Sequence, residues 1–289
     1  SAPAAPGVTV TAATPRAAFR WSGTDQQAYQ YQIDDYDSGA IFGTANAVRS
    51  PVLLGNGQHV VRVRIQNAYG LWSNWGTAGF RVTNSSGAAI TLTGTAAHTA
   101  QLSWTTSGSY GAYYIYRDGQ PIAKTTGTSY VDNLLPGTAS YYVIGVPSGS
   151  DNYTRSNTVS LTLTTDYKMI APVDSWTWQA LRLTTEAVAE TRTVSSRQAA
   201  STYFAGQTYP TLELSEFYSK STSFETAFAD RSAAKAFEAL LGQVVCLKTE
   251  YGDSVVGLLD TLDKAENGMY TAFAVKISQI DYPEVIDLD

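Results

Sequence analysis

The sequence has very little cysteine and histidine: one cysteine, Cys246, and two histidines occur among 289 residues. A single cysteine excludes an intrachain disulfide, so every domain must be stabilised by packing. Cys246 lies in the apolar run 244–247, where a lone cysteine usually packs as a small buried hydrophobe. With no helix terminus or basic cluster evident beside it, Cys246 is not expected to be a reactive thiol.

Recognisable catalytic and cofactor-binding motifs are also missing. His59 and His98 lie in separate parts of the chain, and neither has a second histidine nearby, which argues against a zinc site. No nucleophile elbow, phosphate-binding loop or dinucleotide fingerprint stands where a strand and a helix would support it. The sequence therefore predicts a protein that is not an enzyme, with no catalytic residue, no cofactor and no metal. An alternative, an accessory domain of a hydrolase, requires catalytic motifs in a part of the protein that precedes Ser1.

Long apolar runs and an excess of positive charge are absent as well. No apolar run approaches the 18 residues that a membrane-spanning helix needs. The net charge of -6 and the sequence pI near 5.0 argue against nucleic acid or an anionic membrane as a partner, because both require a basic surface. Residues 1–7 lack Met and are rich in Ala and Pro, so we expect a linker at the edge of an excised fragment or a processed chain.

Glutamate is missing from the first 165 residues. That region holds nine Lys or Arg and seven Asp, a net charge of +2. Residues 166–289 hold ten Lys or Arg and eighteen acidic residues, a net charge of -8. This shift predicts a domain boundary near residue 165, with different surfaces and different neighbours on its two sides.

Aromatic residues make up 12% of the chain, with 19 Tyr and 6 Trp, a composition that favours strands. Within 1–165 a pattern repeats after roughly 80 residues, the length of a small sandwich. Each copy has a strand that ends in a tryptophan, Trp21 or Trp104, followed by a Tyr-rich segment with the period-two alternation of a half-buried strand. The repeat predicts two β-sandwiches, at 1–85 and 86–165.

The second copy resembles a fibronectin type III domain in the turn Leu134-Leu135-Pro136-Gly137-Thr138, which Tyr141 follows in the manner of the family's corner tyrosine. It also has a two-residue hairpin signal, Asp118-Gly119. The resemblance implies an Ig-like sandwich for each copy, and it is weaker in the first.

The segment 70–76 of the first copy is similar to the Trp-Ser-x-Trp-Ser box of cytokine-receptor fibronectin modules. In that family the tryptophans stack with arginines of a neighbouring strand, which implies a ladder of Trp72 and Trp75 with Arg62 and Arg64, followed by Arg81. Cation–π contacts of this kind stabilise by about 0.5–2 kcal/mol. The competing interpretation is that the two indoles and their arginines form a stacking surface for a sugar ring.

Residues 166–289 are predicted to form an α+β sheet or barrel domain with one helix. The helix is expected to begin after an N-cap at Asp230, to bury Ala233, Phe237, Leu240 and Leu241, and to stop at Gly242. Strands are predicted at 181–184, 186–194, 211–215, 221–228, 244–249, 254–259 and 270–280, with a loop at 205–210 and an Asn-Gly turn at 266–268.

This last region resembles the C-terminal domain of tail proteins from phages and prophages of Gram-positive bacteria, in the segments 204–210, 244–253 and 277–284. The resemblance implies a structural protein of a tail particle, located in a virion or extracellular. Its partners would be other tail proteins and further copies of itself, and the fibronectin modules would act as spacers or surface decoration. The alternative is a secreted or cell-surface glycan-binding module that uses Trp72 and Trp75.

Overall fold

The computed structural model describes residues 1–182, 191–202, 211–266, 268–286 and 288, with the backbone alone for 198–202 and 211–217. The described chain is mainly β, with one helix. Its strands form two sandwiches and then one large antiparallel sheet. The predicted fold class is therefore confirmed.

The first sandwich contains eight strands. They are β1 (Gly7–Ala12), β2 (Ala18–Ser22), β3 (Ala28–Ile33), β4 (Tyr36–Asp37), β5 (Ile41–Phe42), β6 (Ala47–Arg49), β7 (Gly57–Gln66) and β8 (Gly76–Val82). One sheet has the order β1-β2-β6 and the other β4-β3-β7-β8, with β5 added on β3. On β7 the inward residues Val61, Val63 and Ile65 are completely buried, as period-two alternation requires for a strand with one face in a core.

The second sandwich contains the next eight strands. They are β9 (Ile90–Ala96), β10 (Ala100–Thr106), β11 (Ala112–Arg117), β12 (Gln120–Thr125), β13 (Ser129–Asp132), β14 (Thr138–Val146), β15 (Thr154–Arg155) and β16 (Val159–Thr162). One sheet has the order β13-β10-β9; the other has the order β12-β11-β14-β15, with β16 also on β14. Asp118 and Gly119 connect β11 to β12 with positive φ angles of 49° and 84°, so the predicted two-residue hairpin is confirmed.

The C-terminal region forms a seven-stranded sheet in the order β18-β17-β21-β22-β23-β20-β19. Its strands are β17 (Lys168–Pro172), β18 (Gln179–Leu181), β19 (Arg192–Thr202), β20 (Thr211–Phe228), β21 (Val244–Lys248), β22 (Ser254–Glu266) and β23 (Thr271–Gln279). Helix α1 (Arg231–Glu238) packs on the sheet through Phe237, which lies 5.1 Å from Phe228 and 5.2 Å from Phe273 between ring centroids. Asp230 caps α1 by accepting a hydrogen bond from Ser232 N–H, as predicted.

Two details of the C-terminal prediction are wrong. Helix α1 ends at Glu238, and the chain then tightens into a turn in which Leu240 N–H donates to Phe237 O, three residues back. This turn buries Leu240 but leaves Leu241 50% exposed. The predicted strands 211–215 and 221–228 are parts of the single 18-residue strand β20, because β19 pairs with it at 211–214 and again at 218–223, on both sides of a bulge at 215–217. The predictions for 183–190 and 203–210, and for Asn267 in the Asn-Gly turn, lie outside the described residues.

Candidate functional site

The arginine–tryptophan cluster of the first sandwich is built around Arg64. Its guanidinium carbon lies 4.7 Å from the ring centroid of Trp72 and 4.8 Å from that of Trp75. Arg64 Nε and Nη2 also donate to Oε1 of Gln30, at 2.9 and 2.6 Å. Gln30 lies directly opposite Arg64 on the neighbouring strand β3. The Arg64 guanidinium therefore contacts both indole rings, and the buried amide of Gln30 holds it in place.

The remaining arginines of the predicted ladder do not join this cluster in the described structure. Arg62 and Arg81 are exposed, and they lie opposite Thr77 and Gln58 across the β7–β8 pair. Trp72 and Trp75 are each half-buried, with Arg64 against one face of each ring. Arg64 therefore covers one face of each ring, and a sugar would have to use the other faces.

Replacing Arg64 by glutamine is expected to lower the free energy of unfolding of the first sandwich by about 1–2 kcal/mol, because two cation–π contacts and two hydrogen bonds to Gln30 are lost together. Arg62→Gln is the matched control on the same strand and should stay within about 0.5 kcal/mol of the parent. Denaturant unfolding followed by tryptophan fluorescence measures both. Equal losses in the two variants would contradict this role of Arg64.

His59 pairs with Asp34 at the opposite end of the same sandwich. His59 Nδ1 lies 2.6 Å from Asp34 Oδ2, and Nε2 lies 2.9 Å from Gly55 O. Burial opposes the charged imidazole, but the hydrogen bonds to Asp34 and Gly55, with the Asp34 charge, outweigh it and raise the pKa of His59. Burial likewise opposes the Asp34 carboxylate, and the bonds from His59 and Val60 N–H outweigh it, so the pKa of Asp34 is lowered.

The His59–Asp34 pair should stabilise the first sandwich over a limited range of pH, between the folded-state pKa of Asp34 and that of His59. A raised His59 pKa gives a contribution that is complete below the ordinary value of 6.5 and is lost as pH rises through the folded-state pKa. A lowered Asp34 pKa gives a contribution present above 3.8 and lost as pH falls through the folded-state pKa. Because Asp34 is 39% exposed and screened by water, the gain should stay below about 1 kcal/mol. Thermal unfolding of the parent and His59→Gln should differ more at pH 5.5 than at pH 8.5; an equal difference would rule out the pair as the cause.

The corner of the second sandwich holds a buried charged network. Tyr141 O–H donates to Asp132 Oδ2 at 2.7 Å, and Arg117 Nη1 donates to the same oxygen at 2.8 Å. Tyr141 is completely buried, Asp132 is 1% exposed and Arg117 is 9% exposed. Burial, together with the Asp132 charge, raises the pKa of Tyr141 well above its ordinary value. The sequence analysis identified Tyr141 but missed its acidic and basic partners.

The same corner packs against the C-terminal sheet. Lys248, on β21, is completely buried, and its Nζ donates to Leu135 O and to Ser254 Oγ, each at 2.7 Å. Burial lowers the pKa of this ammonium group. Trp178 Nε1 donates to Asn133 Oδ1 at 3.2 Å, and the Trp178 ring lies 5.1 Å from the His98 ring. Polar groups of both domains are thus satisfied across this junction.

The two sandwiches are joined by a second polar junction. Asn84 in the linker exchanges two hydrogen bonds with the backbone of Tyr153, at 3.0 and 2.8 Å. Ser85 N–H donates to Asn152 Oδ1 at 3.0 Å. Asp151 accepts from Thr14 at 2.6 Å and forms an ion pair with Arg49. The linker between the two sandwiches is therefore held by backbone and side-chain groups of the second sandwich.

The C-terminal sheet ends in a projecting hairpin, the β19–β20 arm. Strand β20 pairs with β23 only from Ser221 to Phe228, whereas its pairing with β19 continues to Thr211. Among the described strands, residues 211–220 therefore pair on one side alone, and β19 is a sheet edge. On β19 the same stretch is spanned by the eight residues 195–202, so the arm reaches about 26 Å beyond the sheet at about 3.3 Å per residue. Val194 and Tyr218 on the arm are 42% and 70% exposed.

Groups that might perform chemistry do not converge among the described residues. Cys246 is completely buried, and burial raises the pKa of its thiol, as expected for a structural cysteine. No group of three or more His, Cys, Asp or Glu side chains is arranged to hold a metal ion in the part of the chain that is described. The helix found there is not long and apolar enough to cross a membrane.

In comparisons with known proteins, this chain is similar to solved structures but matches no family model and no curated sequence. Among solved structures, the FN1–FN3 domains of chicken CNTN1 are 14% identical, with 97% of this chain and 100% of that chain covered at a TM-score of 0.25. The central fibronectin-III array of RIM-binding protein is 11% identical, with 88% and 95% covered at a TM-score of 0.23.

Fibronectin(III)-like modules of Clostridium thermocellum CbhA are also similar, at 12% identity and a TM-score of 0.22, over 54% of this chain and 92% of that chain. The strand order of this chain itself defines tandem sandwiches of the fibronectin type III kind, followed by a separate sheet with a projecting arm.

Proposed function

We propose that this chain is a non-enzymatic structural protein of a phage or prophage tail, in which the C-terminal domain makes the assembly contacts and the two sandwiches act as spacers or surface decoration. Its partners would be further copies of the chain and other tail proteins. It would be found in a virion or another extracellular particle. Nucleic acid and membranes are not among the proposed partners.

The β19–β20 arm is the observation that carries this proposal. A two-stranded hairpin with no third strand is only marginally stable in water. No further strand lies beside β19 among the described residues, so its outer edge can add a strand of another chain. A neighbouring subunit would both stabilise the arm and cover this edge.

The division of charge along the chain supports the same proposal. Residues 166–289 carry a net charge of -8, against +2 for residues 1–165. An acidic domain favours partners with basic surfaces and disfavours contacts between like surfaces. Ordered stacking, with the acidic domain of one subunit facing a basic region of a neighbour, is the arrangement this charge pattern favours.

Negative-stain electron microscopy of the concentrated protein tests the proposal. Rings or tubes are expected for the parent, and a Val194→Asp, Tyr218→Asp variant of the arm should reduce them strongly. Tyr69→Asp is the matched control, because Tyr69 is 85% exposed but lies in the first sandwich. Ordered assemblies that form equally well with the arm variant would contradict an assembly role for the arm.

The alternative proposal, glycan binding at a secreted or cell-surface module, would use the half-buried indoles of Trp72 and Trp75. A glycan array separates the two functions. Strong binding of a glycan by the parent, lost in the Trp72→Ala, Trp75→Ala variant and kept in Tyr69→Ala, would favour the alternative.

A further inference from the structure

The last residues of the chain leave the C-terminal sheet and run across the second sandwich. Ile280 N–H donates to Val256 O, which holds the end of β23 to its own domain. Further along, Ile286 N–H donates to Pro121 O on β12 of the second sandwich, at 2.9 Å. Leu288 is 4% exposed and packs on the outer face of that sandwich, away from its core. The described residues of the tail, 281–286 and 288, thereby bridge two domains.

The surface under the tail is an apolar face made largely of tyrosine. Strands β11 and β14 turn alternate side chains outward, so this face is separate from the sandwich core. We call it the tyrosine face; its residues are Ala112, Tyr114, Tyr116, Tyr142, Ile144 and Val146. The rings of Tyr116 and Tyr142 are stacked with centroids 4.8 Å apart, which gives the face a rigid floor. Tyr114, Tyr116 and Ile144 are each less than 9% exposed with the tail in place.

Polar contacts fix the tail at both ends of the tyrosine face. Glu284 forms an ion pair with Arg117, the arginine that also binds Asp132. At the other end, Leu288 O accepts from Tyr114 O–H at 3.1 Å and from Arg16 Nη1, in the first sandwich, at 3.0 Å. The same end borders a cleft of about 790 Å³ between the two sandwiches. An acidic, apolar peptide thus meets an arginine at each end and tyrosines between them.

The first three residues of the tail, 281–283, connect its docked part to the sheet and make fewer contacts. Asp281 and Pro283 are exposed, and the described residues give Asp281, Tyr282 and Pro283 no hydrogen bond or ion pair. Val285 points away from the tyrosine face and is 61% exposed. The contacts that bind the tail therefore come from residues 284, 286 and 288, and do not depend on the path that brings the tail to the face.

We propose that the tyrosine face is a docking site for the C-terminal peptide of this chain, and that in an assembly it is occupied by the tail of a neighbouring copy. This exchange of tails between copies rests on the proposed function, because it requires neighbouring copies in an assembly. Exchange of an identical element between copies reproduces the same contacts at low energetic cost. In the isolated chain the short connection gives the tail a high effective concentration, so its own face is filled. In a particle, neighbouring copies compete for the same face.

Two full-length variants, in each of which the tail cannot dock on its own tyrosine face, test this exchange. In the tail variant, Ile286→Asp with Leu288→Asp removes both apolar anchors and leaves the tyrosine face open. In the face variant, Ile144→Glu places a negative charge where the acidic tail docks and leaves the tail free. Each variant alone should sediment as a monomer at dilute concentration. An equimolar mixture should form a complex of twice the chain mass.

A matched control and a peptide probe define the contacts. The face variant that also carries Val285→Asp should still bind the tail variant, because Val285 is exposed in the docked tail. A synthetic peptide of residues 280–289 should bind the tail variant by fluorescence anisotropy. The same peptide with Leu288→Asp should bind at least about tenfold more weakly, a difference of about 1.4 kcal/mol. Should Ile144→Glu fail to fold, Arg16→Glu replaces it, since Arg16 meets the tail from the first sandwich.

Two results would overturn the proposal. A mixture that stays monomeric while the peptide binds would show that the tail of one intact copy does not reach the tyrosine face of another. A peptide that does not bind the tail variant would show that the tyrosine face is no docking site. Both measurements use dilute solution and need no ring or tube, so they succeed or fail separately from the electron microscopy of the arm variant.

Discussion

Asp132→Ala is expected to destabilise the second sandwich by about 3–5 kcal/mol, because it removes one member of a buried ion pair and leaves its partners in place. Arg117 would lose a hydrogen bond of 2.8 Å, and Tyr141 O–H would lose its acceptor in a completely buried position. Arg117 keeps its ion pair with Glu284, which makes a loss near the lower end of this range the expected one. Hydrogen exchange of β14 amides measures the loss for this domain alone.

Two comparison variants separate the buried charge from the general effect of losing an aspartate. Asp132→Asn keeps an acceptor for Tyr141 and should lose less than Asp132→Ala. Asp118→Ala removes an exposed carboxylate that, among the described residues, accepts from Ser140 N–H and Oγ at 2.8 and 3.0 Å, and it should cost about 0.5–1.5 kcal/mol. A loss for Asp132→Ala no larger than that for Asp118→Ala would show that the corner network does not stabilise the sandwich.

Phe237→Ala is expected to destabilise the C-terminal domain by about 3–5 kcal/mol through the cavity that it leaves under helix α1. Phe237 is completely buried and contacts the rings of Phe228 and Phe273. Alanine is a good helix former, so the loss would report packing and not helix propensity. Denaturant unfolding followed by hydrogen exchange of β23 measures it.

Phe42→Ala is the matched control for this prediction, because Phe42 is 83% exposed in the first sandwich. Its effect should be within about 0.5 kcal/mol of zero. If Phe237→Ala were as mild as Phe42→Ala, the helix would not be part of the core of the C-terminal domain.

The sandwiches could be predicted because their strands follow simple alternation. Val61, Val63 and Ile65 on β7 repeat every second residue, and the positive φ at Asp118 and Gly119 suits the residues found there. The N-cap at Asp230 is equally local, since it depends on one side chain and the amide two residues later. In each case the decisive contacts join residues close in sequence or related by a fixed period.

The parts that could not be predicted depend on contacts between distant segments. The middle of β20 shows no strand periodicity, and it is part of one strand because β19 pairs with the residues on both sides of the bulge at 215–217. The length of the β19–β20 arm follows from where β23 ends, which no local pattern encodes. The sequence of the tail shows only that it is acidic, because its docking requires Arg16 and Tyr114, both far away in the sequence. For the same reason, the ladder was predicted with Arg62, Arg64 and Arg81, whereas among the described residues Arg64 alone lies over the rings.

The most direct test of whether this chain binds other copies of itself is sedimentation velocity of the purified full-length chain over a wide range of concentration. The proposed assembly role predicts a monomer at low concentration and discrete larger species as the concentration rises. The Val194→Asp, Tyr218→Asp arm variant should shift that transition to higher concentration, while Tyr69→Asp leaves it unchanged. A single monomeric species for the parent at every concentration, the same as for the arm variant, would contradict the account.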